Sequence, residues 1–339
     1  MFDNGDLALL KQGYPLTLTN SALINGSWED VPLGVFYLKR WTVLKDGQLE
    51  IVADDIFNSI ALNQKFQTSN LYSGKTVAYI LNEIYPEAVA TDGIKDVVVS
   101  GAILPDVTVR EAIHQLAVSA GGYAKVGRDG KIYLIKEDAS WGASVDFGYG
   151  MREIPTDRVT TLYTSATVNQ IHVNLPTIPF TPEQLFKGDV TAGQMVIIDK
   201  PFVLSSISNY SGTYTTYLFG VKFDSAGQNV IINGLTADYT LEPVTAQITG
   251  EQDNNRIELN EINGLMMNTS QVINVAIWLL TVARRNITSE FQWLGNPAVE
   301  SGDYSWVQID DNTWKKAIIR ENHFKFNGAL SETSEVAYI

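Results

Sequence analysis

Alternation of apolar and polar residues predicts β-strands in the first part of the chain. Residues 32–44 (PLGVFYLKRWTVL) and 48–55 (QLEIVADD) are rich in β-branched and aromatic side chains and flank a Lys-Asp-Gly turn at 45–47. An Asp-Gly pair between two such runs is a strong signal for a β-hairpin. We therefore expect residues 1–70 to form a first, barrel-like β domain. Its core would draw bulk from Trp28, Phe36 and Trp41.

After residue 71 the apolar positions repeat with the period of a helix. In residues 73–87 (SGKTVAYILNEIYPE) they recur at i, i+3, i+4 and i+7, which places them on one helical face. These residues are Val77, Ile80, Leu81 and Ile84. Ser73 or Thr76 can cap the start of this helix, and Pro86 can end it. Residues 95–104 (KDVVVSGAIL) then predict a strand.

The stretch from Thr108 to Ile135 predicts a compact helix–hairpin unit. Thr108 and Glu111 have the spacing of a capping box, and Gly121 stands where a helix needs a left-handed C′ residue. Residues 123–127 and 131–135 predict short strands joined by Asp129-Gly130, a pair typical of a type I′ turn. The apolar face of the helix comprises Val109, Ala112, Ile113, Leu116 and Ala117. We expect residues 71–138 to form an inserted α+β domain.

Strand patterns return after this unit. Residues 158–176 are rich in β-branched side chains, and the predicted strands at 215–224 (TTYLFGVKFD) and 228–235 (QNVIINGL) bracket a turn at 225–227. These segments predict a second β-rich, barrel-like domain over residues 139–262.

A third helix, at about 270–287, opens the last region. Its apolar face comprises Val272, Val275, Ala276, Leu279 and Ala283. Residues 289–310 then predict strands broken at 296–297 and 302–303. Residues 263–339 would thus supply a helix and closing strands that pack on the β domains. The predicted fold class is α+β, mainly β, with two barrel-like domains, an inserted helix–helix–hairpin unit and one late helix.

Composition and charge narrow the classes of function. The 339 residues are 45% apolar, which suits two or three packed domains rather than disorder. A net charge of −14 without a basic stripe argues against tight nucleic-acid binding. The chain has no cysteine and hence no disulfide, thiolate metal site or thiol nucleophile. The start shows no signal-peptide pattern, and the apolar run 272–283 is too short for a bilayer, so we expect a soluble chain made in a cytoplasm.

The polar motifs are weak evidence for a phosphate-binding or metal-binding site. The Ser-Gly-Lys-Thr sequence at 73–76 lacks the earlier glycine of a phosphate-binding loop, because Ser69 stands there, and is interpreted as a capped helix start. The three histidines lie in separate segments without metal-ligand spacing and are interpreted as solvated or hydrogen-bonded. They are His114, His172 and His323.

Acidic residues are frequent, but they do not form a recognisable carboxylate pair. Asp54-Asp55 and Asp310-Asp311 are neighbours, and neighbours on a strand point to opposite faces. Residues 242–262 hold five acids against one arginine and are interpreted as a solvated strand pair or loop rather than a cation site. A hydrolase pair of distant acids stays open, and no Gly-x-Ser-x-Gly elbow is present. We therefore assign no catalytic, cofactor-binding or metal-binding residue and expect no enzyme activity and no cofactor.

One group of aromatic residues lies in segments rich in glycine and serine. Side chains of this kind either stack on sugars, bury in a protein interface or fill a core. They are Trp141, Phe147, Tyr149, Tyr210, Tyr214 and Tyr217.

The order of the segments resembles the hub proteins of phage tail tips and baseplates. Residues 31–62 are similar to their first domain, with a V-P-x-G-x-F-Y strand followed by a strand ending in A-x-D. Residues 73–84 and 108–138 are similar to their inserted helix–helix–hairpin unit. Residues 274–307 are similar to their late helix and the N-P-x-x-x-x-G-D strand pair. The resemblance is to the N-terminal hub parts of tail-associated lysin-like proteins from phages or prophages of Gram-positive hosts, and we expect this chain to correspond to that part without a lytic domain.

The resemblance implies a structural function. Such a chain would form a homotrimeric ring, with two barrel-like domains per subunit, that joins the tail tube to the tip and lets DNA pass. Its partners would be the distal tail ring, the tape measure and tip or fibre proteins, and its place would be the virion, after synthesis in the bacterial host cytoplasm. DNA would meet only the lumen, and the acidic stretch 242–262 is a candidate for its wall. The alternative is a receptor-binding tail protein that holds host cell-wall saccharide through its aromatic loops.

Overall fold

The computed structural model describes most of the chain. The described residues are 10–24, 27–44, 48–66, 71–105, 107–136, 145–146, 156–177, 179–249, 251, 254–293, 299–308, 313–326 and 330–338.

Three α-helices lie among the described residues: α1 (Val77–Ile84), α2 (Val109–Ser119) and α3 (Thr269–Ala283). Two 3-10 turns precede them, at Ile56–Asn58 and Ile60–Asn63. The strands of the first half are β1 (Pro15–Ile24), β2 (Ser27–Val43), β3 (Leu49–Asp54), β4 (Leu71–Thr76), β5 (Val89–Ala90), β6 (Val98–Ala102), β7 (Tyr123–Val126), β8 (Ile132–Ile135), β9 (Val145–Asp146) and β10 (Thr156–Val159). Those of the second half are β11 (Ser165–Val173), β12 (Glu183–Val190), β13 (Met195–Ile197), β14 (Phe202–Ser208), β15 (Tyr214–Tyr217), β16 (Gly220–Phe223), β17 (Gly227–Thr236), β18 (Tyr239–Gln247), β19 (Arg256–Leu259), β20 (Ile287–Trp293), β21 (Tyr304–Gln308), β22 (Trp314–Phe326) and β23 (Leu330–Tyr338).

The described strands form seven sheets, so the protein is α+β and mainly β, as the sequence predicts. The strand orders are β1-β2-β3, β4-β6, β5-β8-β7, β18-β11-β19, β12-β17-β14, β13-β16-β15 and β10-β20-β23-β22-β21-β9. Each order is linear within the described residues, and the barrel-like closure of the two β domains stays a prediction.

The first sheet is a long ribbon built on β2. Strand β1 pairs with its first half and β3 with its second half, both antiparallel, which confirms the predicted hairpin. The turn at 45–47 lies outside the described residues. Leu38 is buried and Phe36 is half-buried, but Trp28 is 71% exposed, so its assignment to the core is wrong. Alternation along a strand shows which residues share a face, but not whether anything packs against that face.

The inserted unit is built on helices whose ends follow local rules. All four predicted apolar residues of α1 are buried, and Thr76 rather than Ser73 caps it, its Oγ1 accepting from Tyr79 N at 3.3 Å. Helix α2 has the predicted capping box: Thr108 Oγ1 accepts from Glu111 N at 3.2 Å, and Glu111 Oε2 accepts from Thr108 N at 2.6 Å. The helix ends at Gly121, whose φ of +69° suits glycine.

The turn between β7 and β8 differs from the predicted type. The two strands pair antiparallel, and Gly130 has a φ of +78°, but Asp129 is not in the left-handed region that a type I′ turn requires at both central residues. The connection instead spans 127–131, and Asp129 Oδ1 accepts a hydrogen bond from Lys131 N at 3.0 Å. The carboxylate thus stabilises a longer loop than the Asp-Gly pair predicts.

The core under α1 and α2 takes residues from outside 71–138. Ile56 and Leu62 come from the segment after β3, and Leu265 comes from the segment before α3. The boundaries between the four predicted domains stay predictions, because packing across them does not by itself define independent folding units.

Residues 183–236 contain a separate core between two three-stranded sheets. It comprises Val190, Val196, Ile198, Phe202, Val221, Phe223, Val230 and Ile232. The single strand predicted at 215–224 is wrong, because the chain reverses at Leu218 and Phe219 between β15 and β16. Their apolar side chains hide the turn from sequence rules, since they are buried with Ala102 of the inserted unit.

Helix α3 and the six-stranded sheet complete the fold. Val272, Val275 and Ala276 of α3 pack with residues of β11 and β18, as the predicted apolar face requires. The helix ends at Ala283 instead of 287, because β20 begins at Ile287. Strands β10 and β9 are the two edge strands of the six-stranded sheet. This sheet therefore combines segments that are far apart in the chain.

Candidate functional site

The Ser-Gly-Lys-Thr motif is the start of a helix. Its first three residues lie in β4, and Thr76 is the N-cap of α1. The interpretation as a capped helix start is thereby confirmed.

Each histidine lies against a carboxylate. His114 Nε2 is 3.1 Å from Glu261 Oε2, and this hydrogen bond raises the pKa of His114. His172 Nε2 is 2.8 Å from Glu242 Oε2, and His323 Nε2 is 3.4 Å from Glu321 Oε1. The three pairs are separate, and within the described residues no group of three or more His, Asp and Glu side chains is placed to hold a metal ion.

The acidic residues have structural partners. Asp54 Oδ2 is 2.7 Å from Lys39 Nζ, and Asp55 Oδ1 accepts from Asn58 N at 3.1 Å and so caps a 3-10 turn. Three acids of the stretch 242–262 have basic partners. Glu242 and Glu261 lie against histidines, as described above, and Glu251 Oε1 is 3.2 Å from Arg284 Nη1. Asp310-Asp311 lies outside the described residues. The described part of the stretch is divided between β18, β19 and the segments that follow them.

Two residues of the predicted aromatic group, Tyr210 and Tyr214, are neighbours whose ring centroids lie 6.5 Å apart. Tyr210 packs its ring 4.8 Å from that of Phe223, and its hydroxyl donates to Thr213 O at 3.0 Å, so it supports the small β unit. Tyr214 is 43% exposed, and Tyr217 lines a groove described below. Trp141, Phe147 and Tyr149 lie outside the described residues.

A charged junction joins three parts of the molecule. Arg128 Nε is 2.6 Å from Glu300 Oε1, and Lys125 Nζ is 3.0 Å from Glu300 Oε2. The Arg128 guanidinium also donates to Pro32 O at 3.2 Å and to Val299 O at 3.3 Å. The hairpin β7–β8 is thereby held to the first ribbon and to the segment that precedes β21 of the six-stranded sheet, which we call the closing sheet. Sequence analysis missed these residues, because no local pattern links positions so distant in the chain.

A second junction is buried. Gln271 Oε1 accepts from Ser100 N at 3.2 Å, while its Nε2 donates to Ser119 O and Leu265 O, each at 2.9 Å. Asn263 Nδ2 similarly donates to Gln115 O at 2.7 Å. These amides connect the inserted unit to the start of α3, where backbone groups would otherwise be buried without partners.

A groove of about 520 Å³ opens between the inserted unit and the 183–236 unit. Three exposed apolar side chains stand in its wall: Leu71, Tyr79 and Leu175. The other lining residues are Tyr72, Lys75, Phe202, Thr216, Tyr217 and Leu218. Lys75 Nζ lies 4.6 Å above the Tyr79 ring. An apolar groove with one ammonium group suits a partner that carries an aromatic or aliphatic side chain beside a carboxylate.

A hydroxyl–carboxylate cluster lies inside the six-stranded sheet. The Tyr338 hydroxyl and Ser289 Oγ both donate to Asp157 Oδ1. Burial and the bond to Asp157 raise the pKa of Tyr338 to about 12 from 10.0. The cluster joins β10, β20 and β23 and offers no nucleophile to solvent, because Ser289 and Tyr338 are almost fully buried.

Tyr338→Phe is expected to remove a contribution to the free energy of unfolding that depends on pH in the alkaline range. The folded pKa of the phenol is raised, so its contribution is present below pH 10 and is lost as the pH rises toward 12, an effect of about 2 kcal/mol. The difference in free energy of unfolding between wild type and variant should therefore shrink between pH 9 and pH 12. Urea denaturation across this range measures it, and a difference independent of pH would contradict the assignment.

Arg128→Ala is expected to lower the free energy of unfolding by about 2 kcal/mol, because a partly buried carboxylate and two carbonyl groups lose their donor. Lys95→Ala is the control, since its ion pair with Asp92 is exposed and should contribute little. Urea denaturation compares the two variants, and equal effects would show that the junction is not stabilising.

Among the described residues, no helix is both long and apolar enough to cross a bilayer. No protein-family model matches the chain, and no curated protein matches its sequence. Its fold is similar to that of the tail protein from Neisseria meningitidis, with a TM-score of 0.53 at 12% identity over 96% of this chain and 87% of that one. The 43 kDa tail protein of prophage MuSo2 from Shewanella oneidensis gives 0.48 at 12% identity, over 95% and 88% of the two chains. A prophage tail protein from Listeria monocytogenes gives 0.47 at 11% identity, over 90% and 77%. The chain thus shares its fold with the Neisseria tail protein along nearly its whole length.

Proposed function

We propose that the protein is a structural subunit of a phage or prophage tail, and that three copies form the hub ring between tail tube and tip. The observation that carries this proposal is the shared fold with a tail protein over 96% of the chain. The hub-like order of sequence segments supports the finer assignment to the tip or baseplate.

The polar chemistry of the chain supports a scaffold. Its carboxylates cap turns, pair with histidines and hold separate units together, as at Glu300 and Glu111. Side chains used in this way fix the relative positions of small cores. The inserted unit would accordingly act by position, with Arg128 linking it to the ribbon and the closing sheet.

The ring places further constraints on the subunit. Its partners would be the distal tail ring, the tape measure and tip or fibre proteins in the virion, after synthesis in the cytoplasm of a bacterial host. DNA would pass through the lumen, so the lumen wall should be acidic or neutral, because lysines there would bind phosphates. The stretch 242–262 is our candidate for that wall.

Light scattering and negative-stain images of the purified protein test the proposal. We expect a ring-shaped trimer at about 50 µM subunit, since closed symmetry is the usual way to cover self-complementary surface. A protein that stays monomeric alone and also with its tail partners would overturn the ring.

The proposal also requires that the chain itself lacks lytic activity. Zymography on cell walls should give no cleared band with the purified protein. A clear band would overturn the purely structural assignment and revive the hydrolase pair of distant acids.

A saccharide-binding role is the second candidate, and the exposure of Tyr214 favours it. Saturation-transfer NMR with host wall polysaccharide should show contacts to Tyr214 that Tyr214→Ala removes if this role is real. A trimer without glycan contacts favours the hub.

A further inference from the structure

The geometry points to a specific contact between copies: the tip of the first ribbon of one subunit docks in the groove of the next. We call residues 19–24 and 27–32 the arm; the groove is the one lined by Leu71, Lys75 and Tyr79. This inference rests on the proposed ring and names the surfaces that would close it.

The arm lies in the part of the ribbon in which β2 pairs with β1, whereas β3 pairs with the other half of β2. Its six residue pairs run from Thr19–Pro32 to Ile24–Ser27, a length of about 20 Å. The ribbon is anchored at the base of the arm, where Pro32 O accepts from Arg128, and Ser27, Trp28, Glu29 and Asp30 are all exposed. An isolated two-stranded ribbon is marginally stable in water, so a cover for its tip would stabilise it.

Trp28 is the natural anchor of such a contact. It has the greatest fractional exposure among the large apolar residues of the described chain, 71%. Tryptophan is enriched among the residues that dominate binding energy, because one side chain removes about 150–250 Å² from water. A surface tryptophan at the end of the arm is therefore suited to insertion in a partner.

The groove matches this anchor in size and lining. Its volume of about 520 Å³ accommodates an indole with neighbouring backbone, and Leu71, Tyr79 and Leu175 would lose their exposure on docking. In the single chain both surfaces are open, so the arm does not fill the groove of its own subunit.

Charge is complementary as well. Glu29 and Asp30 directly follow Trp28, and the arm carries no lysine or arginine. Lys75 is the charged residue in the groove lining and has no ion-pair partner among the described residues, while nearby Glu83 accepts a hydrogen bond from the Tyr72 hydroxyl at 2.9 Å. The chain has a net charge of −14, so a groove whose lining contains a lysine and no carboxylate is a favourable surface for an acidic arm to meet.

The contact has a consequence for symmetry. The arm and the groove are different surfaces of one subunit, so the interface is heterologous and repeats from copy to copy. Such contacts either close into a ring or continue as a filament, and a ring of three copies would have every arm and every groove occupied.

The cysteine-free chain allows a direct test. Ser27→Cys and Ser73→Cys are small changes at exposed positions beside the arm tip and on β4. The two single variants are mixed, treated with a short bismaleimide, and the products are mapped by mass spectrometry. We expect a heterodimeric adduct between positions 27 and 73. The control mixes Ser27→Cys with Val159→Cys, which is 67% exposed outside the groove lining, and should give no adduct.

Two further single variants and one double variant separate docking from chance proximity. Trp28→Ser should weaken association at least about tenfold in light scattering. Lys75→Glu should do the same, and Glu29→Lys with Asp30→Lys in the arm should restore association with the Lys75→Glu groove. Far-UV circular dichroism confirms that each variant is folded.

The outcomes distinguish the contact from the ring. A wild-type trimer without the 27–73 adduct would overturn the docked arm and leave the proposed ring in place, with another protein as the occupant of the groove. The adduct without a trimer would support the arm contact and count against the trimeric ring. A monomer without adduct would overturn both.

Discussion

Gly101→Ala is expected to lower the free energy of unfolding by about 3 kcal/mol, because the new methyl group has no room. A Cβ at this position would lie 2.2 Å from Gly264 O and 2.6 Å from the Cα of Leu265. Both neighbours are backbone atoms that cannot rotate away, and the φ of +152° adds strain for any other residue. Strand β6 and the segment before α3 would have to separate.

The matched control is Gly93→Ala in the same unit. Its Cβ would meet only the Cβ of Lys136, at 3.7 Å, which is an ordinary contact. We expect little change in the free energy of unfolding there, measured by urea denaturation for both variants. Equal stability of the two would show that the close approach of β6 to Gly264 is absent in solution.

The parts of the fold that the sequence predicts well are those with local signals. Thr108 and Glu111 are three residues apart, and Gly121 ends the same helix, so one short window contains the start, the face and the end of α2. The four buried positions of α1 follow one helical period in the same way. The hairpin of β2 and β3 has its turn and both strands within about thirty residues.

The features of the fold that the sequence did not predict depend on packing between distant segments. Trp28 alternates like a core residue but is 71% exposed in the described part of the chain, and whether a strand face is covered depends on packing between distant segments. Leu218 and Phe219 form a turn without turn residues, because burial against Ala102 stabilises it. The six-stranded sheet needs β9 and β10 beside strands that follow α3, and no periodicity specifies such partners.

The candidate sites show the same difference between local sequence signals and long-range contacts. The residues next to each weak motif were enough to interpret it. The Ser-Gly-Lys-Thr sequence, for example, was correctly interpreted as a helix start, capped by Thr76, and not as a phosphate-binding loop. The junctions and the groove were not predictable, since Arg128 and Glu300, or Leu71 and Tyr217, meet only in the folded chain. The structural role proposed above accounts for this outcome, because the working surfaces of such a subunit would be defined by shape rather than by a reactive motif.

Gln271→Leu tests whether the buried junction holds the inserted unit in place. The leucine keeps much of the volume but cannot accept from Ser100 N or donate to Ser119 O and Leu265 O. Each buried backbone group left without a partner costs about 1–3 kcal/mol, so we expect a loss of about 4 kcal/mol in the free energy of unfolding. Asn274→Leu on the exposed side of α3 is the control and should change stability little.

Hydrogen exchange locates the effect. In Gln271→Leu the amides of β6 and the end of α2 should exchange faster, because opening of the inserted unit from α3 becomes easier. The core at 183–236 has its own buried residues and should keep its protection. If protection falls evenly over the whole chain, the junction contributes to one cooperative core; if it is unchanged at β6, the amide of Gln271 does not connect the two units. The first pattern would show that the inserted unit does not open separately from the rest of the chain.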